Sequence, residues 1–333
     1  MTKASVSTAR SLPDSVDALE HPTTVQLRPR YEGSNICTWI GFKHVNYLVE
    51  EAVLEHLRRS GWPAGMLYED FGLCVDIVSI DAAIVSATHI DDIVTARVVA
   101  EGKPVDGEIA LTVGLDIHGS STPVKTVSAK VRVALRHDPR GGGAAPVPQV
   151  LEPFTVKEID RSSLVRVPVA STPPATVADG DELLAALTRD ANAYGWKWRI
   201  PYFYCHFTER LQMSGYLRLM EEAVDLFLAD RGISIKRLLD EQNWIPVVPK
   251  NSLVMLAEAR MEEDIYTVLT VEDVFKRLIY TARMDCYVLR DGVPVHTATG
   301  RITHGYALIE NRRDWSLAEF DDRMIQRLNG QHG

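Results

Sequence analysis

The residues best suited to chemistry are one imidazole, His206, and two pairs of glutamates, Glu50-Glu51 and Glu221-Glu222. His206 follows the aromatic run Tyr202-Phe203-Tyr204-Cys205 and precedes an amphipathic stretch that begins near Met213. The first turn of a helix carries backbone N–H groups with no partner inside the helix. Such groups hold negative charge that develops on a carbonyl oxygen. A His or carboxylate beside them serves as general base. His206 is the leading base, with a His that only caps a strand end as the structural alternative. Glu50 and Glu221 lie nearer the apolar stripe of their helices than Glu51 and Glu222; a buried one has a raised pKa and can donate a proton. Four solvated glutamates are the alternative. Glu209, in the loop after His206, is a further carboxylate, more simply read as a polar loop residue.

These residues sit in a unit that is written twice. Tyr31–Gly61 and Tyr202–Gly232 superpose without a gap at an offset of 171 residues, aligning Leu48 with Leu219, Glu50-Glu51-Ala52-Val53 with Glu221-Glu222-Ala223-Val224, and Leu57 with Leu228. The match continues into strand-like segments: Asp92-Ile93-x-Thr95 aligns with Asp264-Ile265-x-Thr267, and Pro123-Val124-x-Thr126 with Pro294-Val295-x-Thr297. At the place of His206 the first copy has Asn35, which is neutral at every pH and can orient a carbonyl or a water but cannot act as a base. One competent and one degenerate site per chain is the expectation; loss of catalysis at both is the alternative.

Each copy reads as strand, helix, then four or so strands. The first helix is expected over Phe42–Arg59, with Val45, Leu48, Val49, Ala52, Val53 and Leu57 at a 3.6-residue period, and Gly61 and Pro63 stop it. The second is expected from Met213 to about Ala229. The β-branched segments that follow each helix are most simply joined as an antiparallel meander. The expected division is a mobile N-terminal arm (1–23), a first unit (24–137), a linker and connecting segment (138–194), a second unit (195–312) and a C-terminal tail or helix (313–333).

Composition excludes several classes. A net charge of −9 with no basic stripe argues against nucleic acid as partner. No apolar run reaches the roughly 20 residues that cross a bilayer, and the N-terminus lacks a signal-peptide core, so a cytoplasmic protein is expected. Cys37, Cys74, Cys205 and Cys286 are scattered and read as buried free thiols. His89, His118, His296 and His304 lack metal-ligand spacing, Gly141–Gly143 lacks the setting of a phosphate loop, and no Gly-x-Ser-x-Gly elbow is present. No cofactor or metal is expected. Tyr31 and Tyr202 are read as aromatic core residues.

A central helix wrapped by an antiparallel sheet, repeated in one chain, resembles the double-hotdog enzymes of acyl-thioester chemistry, an α+β tandem hotdog. The first copy resembles the 4-hydroxybenzoyl-CoA type of thioesterase through Tyr31, Gly41, His44, Val45, Asn46, Tyr47, Leu48, Glu50, Glu51 and Ala52. Asn35 stands where that family has an acidic residue. The second copy resembles the 3-hydroxyacyl-carrier dehydratases through His206, Phe207, Met213, Gly215, Leu217 and Glu221, with Thr208 and Ser214 in place of two prolines. The resemblance implies a site between the halves, with His206, Glu50 and Glu221 catalytic, Glu50 facing His206, and Asn35, His44, Asn46, Glu209, Gly215 and Tyr216 toward substrate. It implies hydrolysis of an acyl thioester first, dehydration of a 3-hydroxyacyl thioester or a related decarboxylation or acyl transfer second, and acyl binding without catalysis third. Coenzyme A or phosphopantetheine enters as part of the substrate, an acyl carrier protein is the alternative donor, and a homodimer of chains fits the same pattern. Arg58-Arg59 and Lys236-Arg237 are the basic pairs available for a carrier.

Overall fold

The computed structural model describes residues 17–102, 107–118, 122–142, 145–163, 172–189, 191–309 and 315–331. Its helices are α1 (Asp17–Glu20), α2 (Phe42–Arg59), α3 (Ala64–Phe71), α4 (Gly180–Thr188), α5 (Met213–Asp230), α6 (Ile235–Gln242) and α7 (Asp322–Leu328). Its strands are β1 (Thr23–Leu27), β2 (Leu73–Ile84), β3 (Val94–Ala100), β4 (Ile109–His118), β5 (Pro123–His137), β6 (Thr155–Val156), β7 (Ala193–Arg199), β8 (Trp244–Met255), β9 (Asp264–Phe275), β10 (Ile279–Arg290), β11 (Val293–Ile309) and β12 (Trp315–Leu317).

One continuous sheet runs β1-β3-β4-β5-β2-β8-β11-β10-β9-β7, with β6 beside β5 and β12 beside β11. Read inward from either edge, the order is the same for both halves. A pseudo-two-fold axis therefore passes between β2 and β8. There Asp81 pairs with Ser252, and these two residues are each other's counterpart at the 171-residue offset. The connection departs from a simple meander: β2 pairs with β5 and β8, and β3 pairs with β1 and β4. Pairing with β5 puts β2 at the inner end of its half, where it can join the other half.

The sheet wraps α2 and α5 because each presents a buried stripe. On α2, Val45, Val49, Ala52, Val53 and Leu57 are almost fully buried, and on α5 Tyr216, Leu217, Leu219, Met220, Ala223, Phe227 and Leu228 are. Each Val or Leu so buried contributes roughly 1.5–3 kcal/mol. His56, Arg58 and Arg59 close α2 where its dipole favours positive charge. Gly61 and Gly232, both at positive φ, turn the chain away from the two helices.

Several expectations change. The short helices α3 and α6, again 171 residues apart, add a second helix to each unit where only strands were expected after the first. The end of the N-terminal arm is packed: Leu19 is buried, and Ser60 Oγ donates to the carbonyl of Ala18. The linker begins with a buried Asp138, and Leu151, Phe154 and Ile159 of the connecting segment join the core. The rest of the arm, 1–16, lies outside the described residues. Tyr31 and Tyr202 are exposed (84% and 70%), and Cys37 is exposed while the other cysteines are buried. Among the described residues, no helix is long and apolar enough to cross a membrane.

Candidate functional site between the halves

The loop before α2 is shaped by local backbone chemistry. Asn35 accepts a hydrogen bond from the N–H of Ile36 (2.8 Å), and Cys37 and Thr38 both take left-handed backbone conformations (φ 66° and 70°). Non-glycine residues rarely hold that conformation without compensation. The turn delivers Gly41, whose N–H donates to Gly33 O at 3.0 Å, as the N-cap of α2. Gly33 must lack a side chain, because a Cβ there would lie 2.7 Å from His44 Cβ. The first N–H to bond back along the helix is that of Val45, to Gly41 O. Those of Phe42, Lys43 and His44 have no partner inside the helix.

A cavity of about 820 Å³ opens at this helix start. Gly41, Phe42 and Lys43 line one side, and the polar face of α5, from the other half, lines the opposite side with Arg218, Glu221, Glu222 and Asp225. The remaining walls are largely apolar: Trp39, Ala87, Val247, Ile279 and Ile302, with His304 among them. Lys43 Nζ lies 2.7 Å from Glu221 Oε2, an ion pair across the two halves. Gly41 lies against that carboxylate: a Cβ there would be in ordinary contact, 3.6 Å from Glu221 Oε1. Arg218 pairs with Glu222 at 2.5 Å and lies 4.7 Å from the ring centre of Trp198. Burial and the neighbouring Glu221 raise the Asp225 pKa. Burial lowers that of His304 to about 4, so its imidazole is neutral at physiological pH.

The sequence-derived residues divide between this cavity and elsewhere. Asn35 and Glu221 line it. His206 stands at the other pseudo-site, with a left-handed backbone (φ 51°) and Nε2 3.0 Å from Ser214 Oγ on α5. It is exposed as a residue, yet its ring is screened enough for desolvation to lower its pKa. The expected Glu50–His206 pairing is not formed: no hydrogen bond or ion pair joins them, and Glu50 Oε2 is buried without a hydrogen-bond partner. Burial, reinforced by Glu51, raises the Glu50 pKa to about 7. Glu209 is exposed and pairs with Arg140. His44 packs its ring 5.0 Å from that of Tyr47, and burial followed by Lys43 lowers its pKa. Asn46 is fully buried and ties the halves, donating to Phe42 O at 2.8 Å and to Asn251 Oδ1 at 3.1 Å. Gly215 is required for packing, because a Cβ would meet Leu211 Cδ1 at 2.4 Å, and Tyr216 is fully buried in the core. Lys43, Arg218, Asp225 and His304 are the cavity residues that reasoning from motifs passed over.

The two pseudo-sites differ in their walls more than in their loops. Trp39, Ala87, Val247 and Ile279 line the cavity; 171 residues away along the repeat stand Arg210, Glu258, Asp76 and Glu108. These four belong to buried ion networks. Arg136, with no exposed surface, lies 3.0 Å from Asp76, 3.5 Å from Glu258 and 3.8 Å from Asp138, and Arg210 pairs with Glu258 and Asp138. Arg161, from the connecting segment, reaches Glu108 at 2.6 Å and donates to the carbonyls of Val78 and Met255. Where one pseudo-site presents an apolar wall built from both halves, the other carries paired charge and the connecting segment. A column-by-column reading of the repeat shows this as four apolar-to-charged exchanges.

The arrangement has counterparts among solved structures. The 12:0-ACP thioesterase from Umbellularia californica superposes at a TM-score of 0.55 and 10% identity, over 86% of this chain and 94% of its own. The fold is a double hotdog. An acyl-ACP thioesterase from Bacteroides thetaiotaomicron shares this double hotdog at a TM-score of 0.52 and 8% identity, over 85% of this chain and 97% of its own. At such identity the likeness is one of fold. No model of a known protein family matches the chain, and no curated protein matches it in sequence.

Proposed function

We propose that this double hotdog hydrolyses an acyl thioester of coenzyme A or of a phosphopantetheine carrier, in the cavity between α2 and α5. One observation carries the reading. The carboxylate of Glu221, from the second half, stands 2.7 Å from Lys43 in the first turn of the first half's helix, at an apolar cavity. At roughly 30 Å³ per water-sized group, the cavity holds on the order of 25 heavy atoms, enough for an acyl chain and part of the pantetheine arm. The named activities of the structural neighbours support the same class of reaction.

The chemistry follows from the positions. The thioester carbonyl oxygen rests on the free N–H groups at the start of α2, where the helix dipole favours negative charge. Glu221 takes a proton from a water molecule while its oxygen attacks the carbonyl carbon. The tetrahedral oxyanion stays on the N–H groups and the Lys43 ammonium. Collapse breaks the C–S bond, the thiolate leaves and takes up the proton from Glu221, and the free acid remains. Lys43 holds Glu221 at the helix start. Arg58-Arg59 and Lys236-Arg237 pair with Glu55, Asp240 and Glu241 on their own helices, so the recognition of a carrier is assigned to the cavity mouth.

The test is release of free thiol from a panel of acyl-CoA and acyl-carrier substrates. Glu221→Gln is expected to lower kcat about 10²- to 10⁴-fold, while Glu50→Gln and His206→Ala keep most of it. Equal loss in His206→Ala would move the chemistry to the other pseudo-site. Loss of water from a 3-hydroxyacyl substrate with the thioester intact would replace hydrolysis by dehydration. Binding without turnover across the panel would leave an acyl-binding protein.

A further inference from the structure

The cavity wall contains groups that an ordinary fatty-acyl pocket does not need. His304 faces the cavity from β11 and is 4% exposed, with its Nδ1 buried and without a hydrogen-bond partner. Tyr280, paired with it across β10 and β11, and Tyr306, two residues along, have ring centres 5.3 Å from the imidazole. Both tyrosines are fully buried, and their hydroxyls face each other closely enough to influence each other's ionisation, which leaves the imidazole as the unpartnered group. Asp225 lines the cavity on α5 and is close enough to disfavour ionisation of Tyr306.

The repeat shows that the fold does not require this polarity. The counterparts of Tyr280, His304 and Tyr306 are Ile109, Val133 and Leu135, all buried, and Ile109 pairs with Val133 in the same register as Tyr280 with His304. The counterpart of Asp225 is Leu54. Aliphatic side chains occupy these places in the first half. The second half has an imidazole, two phenols and a carboxyl there. Buried polar groups without partners destabilise a protein unless something satisfies them. A ligand that enters the cavity is the group able to do so.

Resting on the hydrolase reading above, we infer that the acyl group seated here carries a neutral oxygen, a hydroxyl or carbonyl, near its distal end, which hydrogen-bonds to His304, with the tyrosines packed behind the imidazole positioning it. A neutral imidazole offers one donor and one acceptor, so either oxygen type is accommodated. A terminal carboxylate is disfavoured, because Asp225 faces the same space and the two cations that line the cavity, Lys43 and Arg218, are paired with Glu221 and Glu222.

The experiment is titration calorimetry with thioether analogues of acyl-CoA, which bind but cannot be hydrolysed. Three tails of equal length are compared over a series of lengths: methyl-ended, hydroxyl-ended and carboxylate-ended. The wild-type chain is expected to bind the hydroxyl-ended tail at least about tenfold more tightly than the methyl-ended one at its preferred length, with the carboxylate weakest. His304→Val, which installs the residue found at the corresponding place of the first half, is expected to abolish or invert that preference. Tyr306→Phe, which removes only a hydroxyl, is expected to reduce it should the first variant fold poorly. A wild-type chain that binds the methyl-ended tail as tightly as the hydroxyl-ended one at every length overturns the inference, as does a preference that survives both substitutions. Because binding needs no turnover, selective binding without thiol release would refute hydrolysis and keep this inference. Hydrolysis of plain acyl groups without preference would refute this inference alone.

Discussion

Replacing Glu50 by Gln separates a catalytic carboxylate from a structural liability. Glu50 is largely buried, its Oε2 has no hydrogen-bond partner, and Glu51 lies beside it, so its pKa rises from 4.5 to about 7 on folding. The folded state thus holds a proton that the unfolded chain releases earlier. Stability from this position is complete below about pH 4.5, declines as pH rises toward 7, and is flat above. At about 1.4 kcal/mol per pH unit of separation, the loss across that window is roughly 3 kcal/mol. Glu50→Gln keeps the shape and removes the charge. The variant should match or fall slightly below the wild type at pH 4.5, and exceed it at pH 8 by an amount approaching the same roughly 3 kcal/mol. Urea unfolding, followed by the fluorescence of the six tryptophans at intervals of pH, measures the difference directly. A difference that stays constant from pH 4.5 to 8 would refute the burial argument. A variant less stable than the wild type at pH 8 would show that the ionised carboxylate has a partner.

Other perturbations test other parts of the structure. Ala87→Phe should fill the cavity and abolish acyl turnover while the melting temperature stays within a few degrees, as an activity assay beside a thermal melt would show. Arg136→Met leaves Asp76, Asp138 and Glu258 buried with one arginine among them, and should cost about 3–5 kcal/mol at neutral pH in urea unfolding. Gly33→Ala drives a methyl into His44 at the start of α2 and should cost about 1–3 kcal/mol. Its kcat should fall more than binding of a thioether analogue, because the carbonyl-holding turn shifts.

The helix bounds were legible because α2 combines a clean apolar period with glycine stops, and because Leu48, Ala52 and Leu57 reappear at Leu219, Ala223 and Leu228. Helices α3 and α6 escaped because each is eight residues long and buries only one residue fully, Leu67 or Leu238, so neither gives a periodic signal. Their flanks did carry one, with Gly72 and Asn243 in left-handed C-cap conformations. The cavity at the start of α2 was not legible for a different reason. Ranking residues by chemical type favours His206 over Asn35. Openness depends instead on the walls, where Trp39, Ala87, Val247 and Ile279 replace the charges of Arg210, Glu258, Asp76 and Glu108. Periodicity within one copy cannot reveal which pseudo-site has the apolar wall, because a buried ion pair occupies the same strand positions as a buried valine.

The pair at the centre of the sheet has a consequence for assembly. In a symmetric dimer the residue on the axis faces its own copy. Two first halves would set Asp81 against Asp81, and like charges directly opposite on neighbouring strands destabilise the pairing by roughly 0.2–1 kcal/mol. Two second halves would lose the bond that joins Asn46 to Asn251, since Leu217 stands at the place of Asn46. Two first halves lose that bond as well, since Ile80 stands at the place of Asn251, and only the mixed combination keeps the bond and avoids the Asp81 pair. The seam thus selects its partners as well as joining them. It favours the combination of two unlike halves, and so preserves the asymmetry that gives the chamber at the start of α2 its apolar wall.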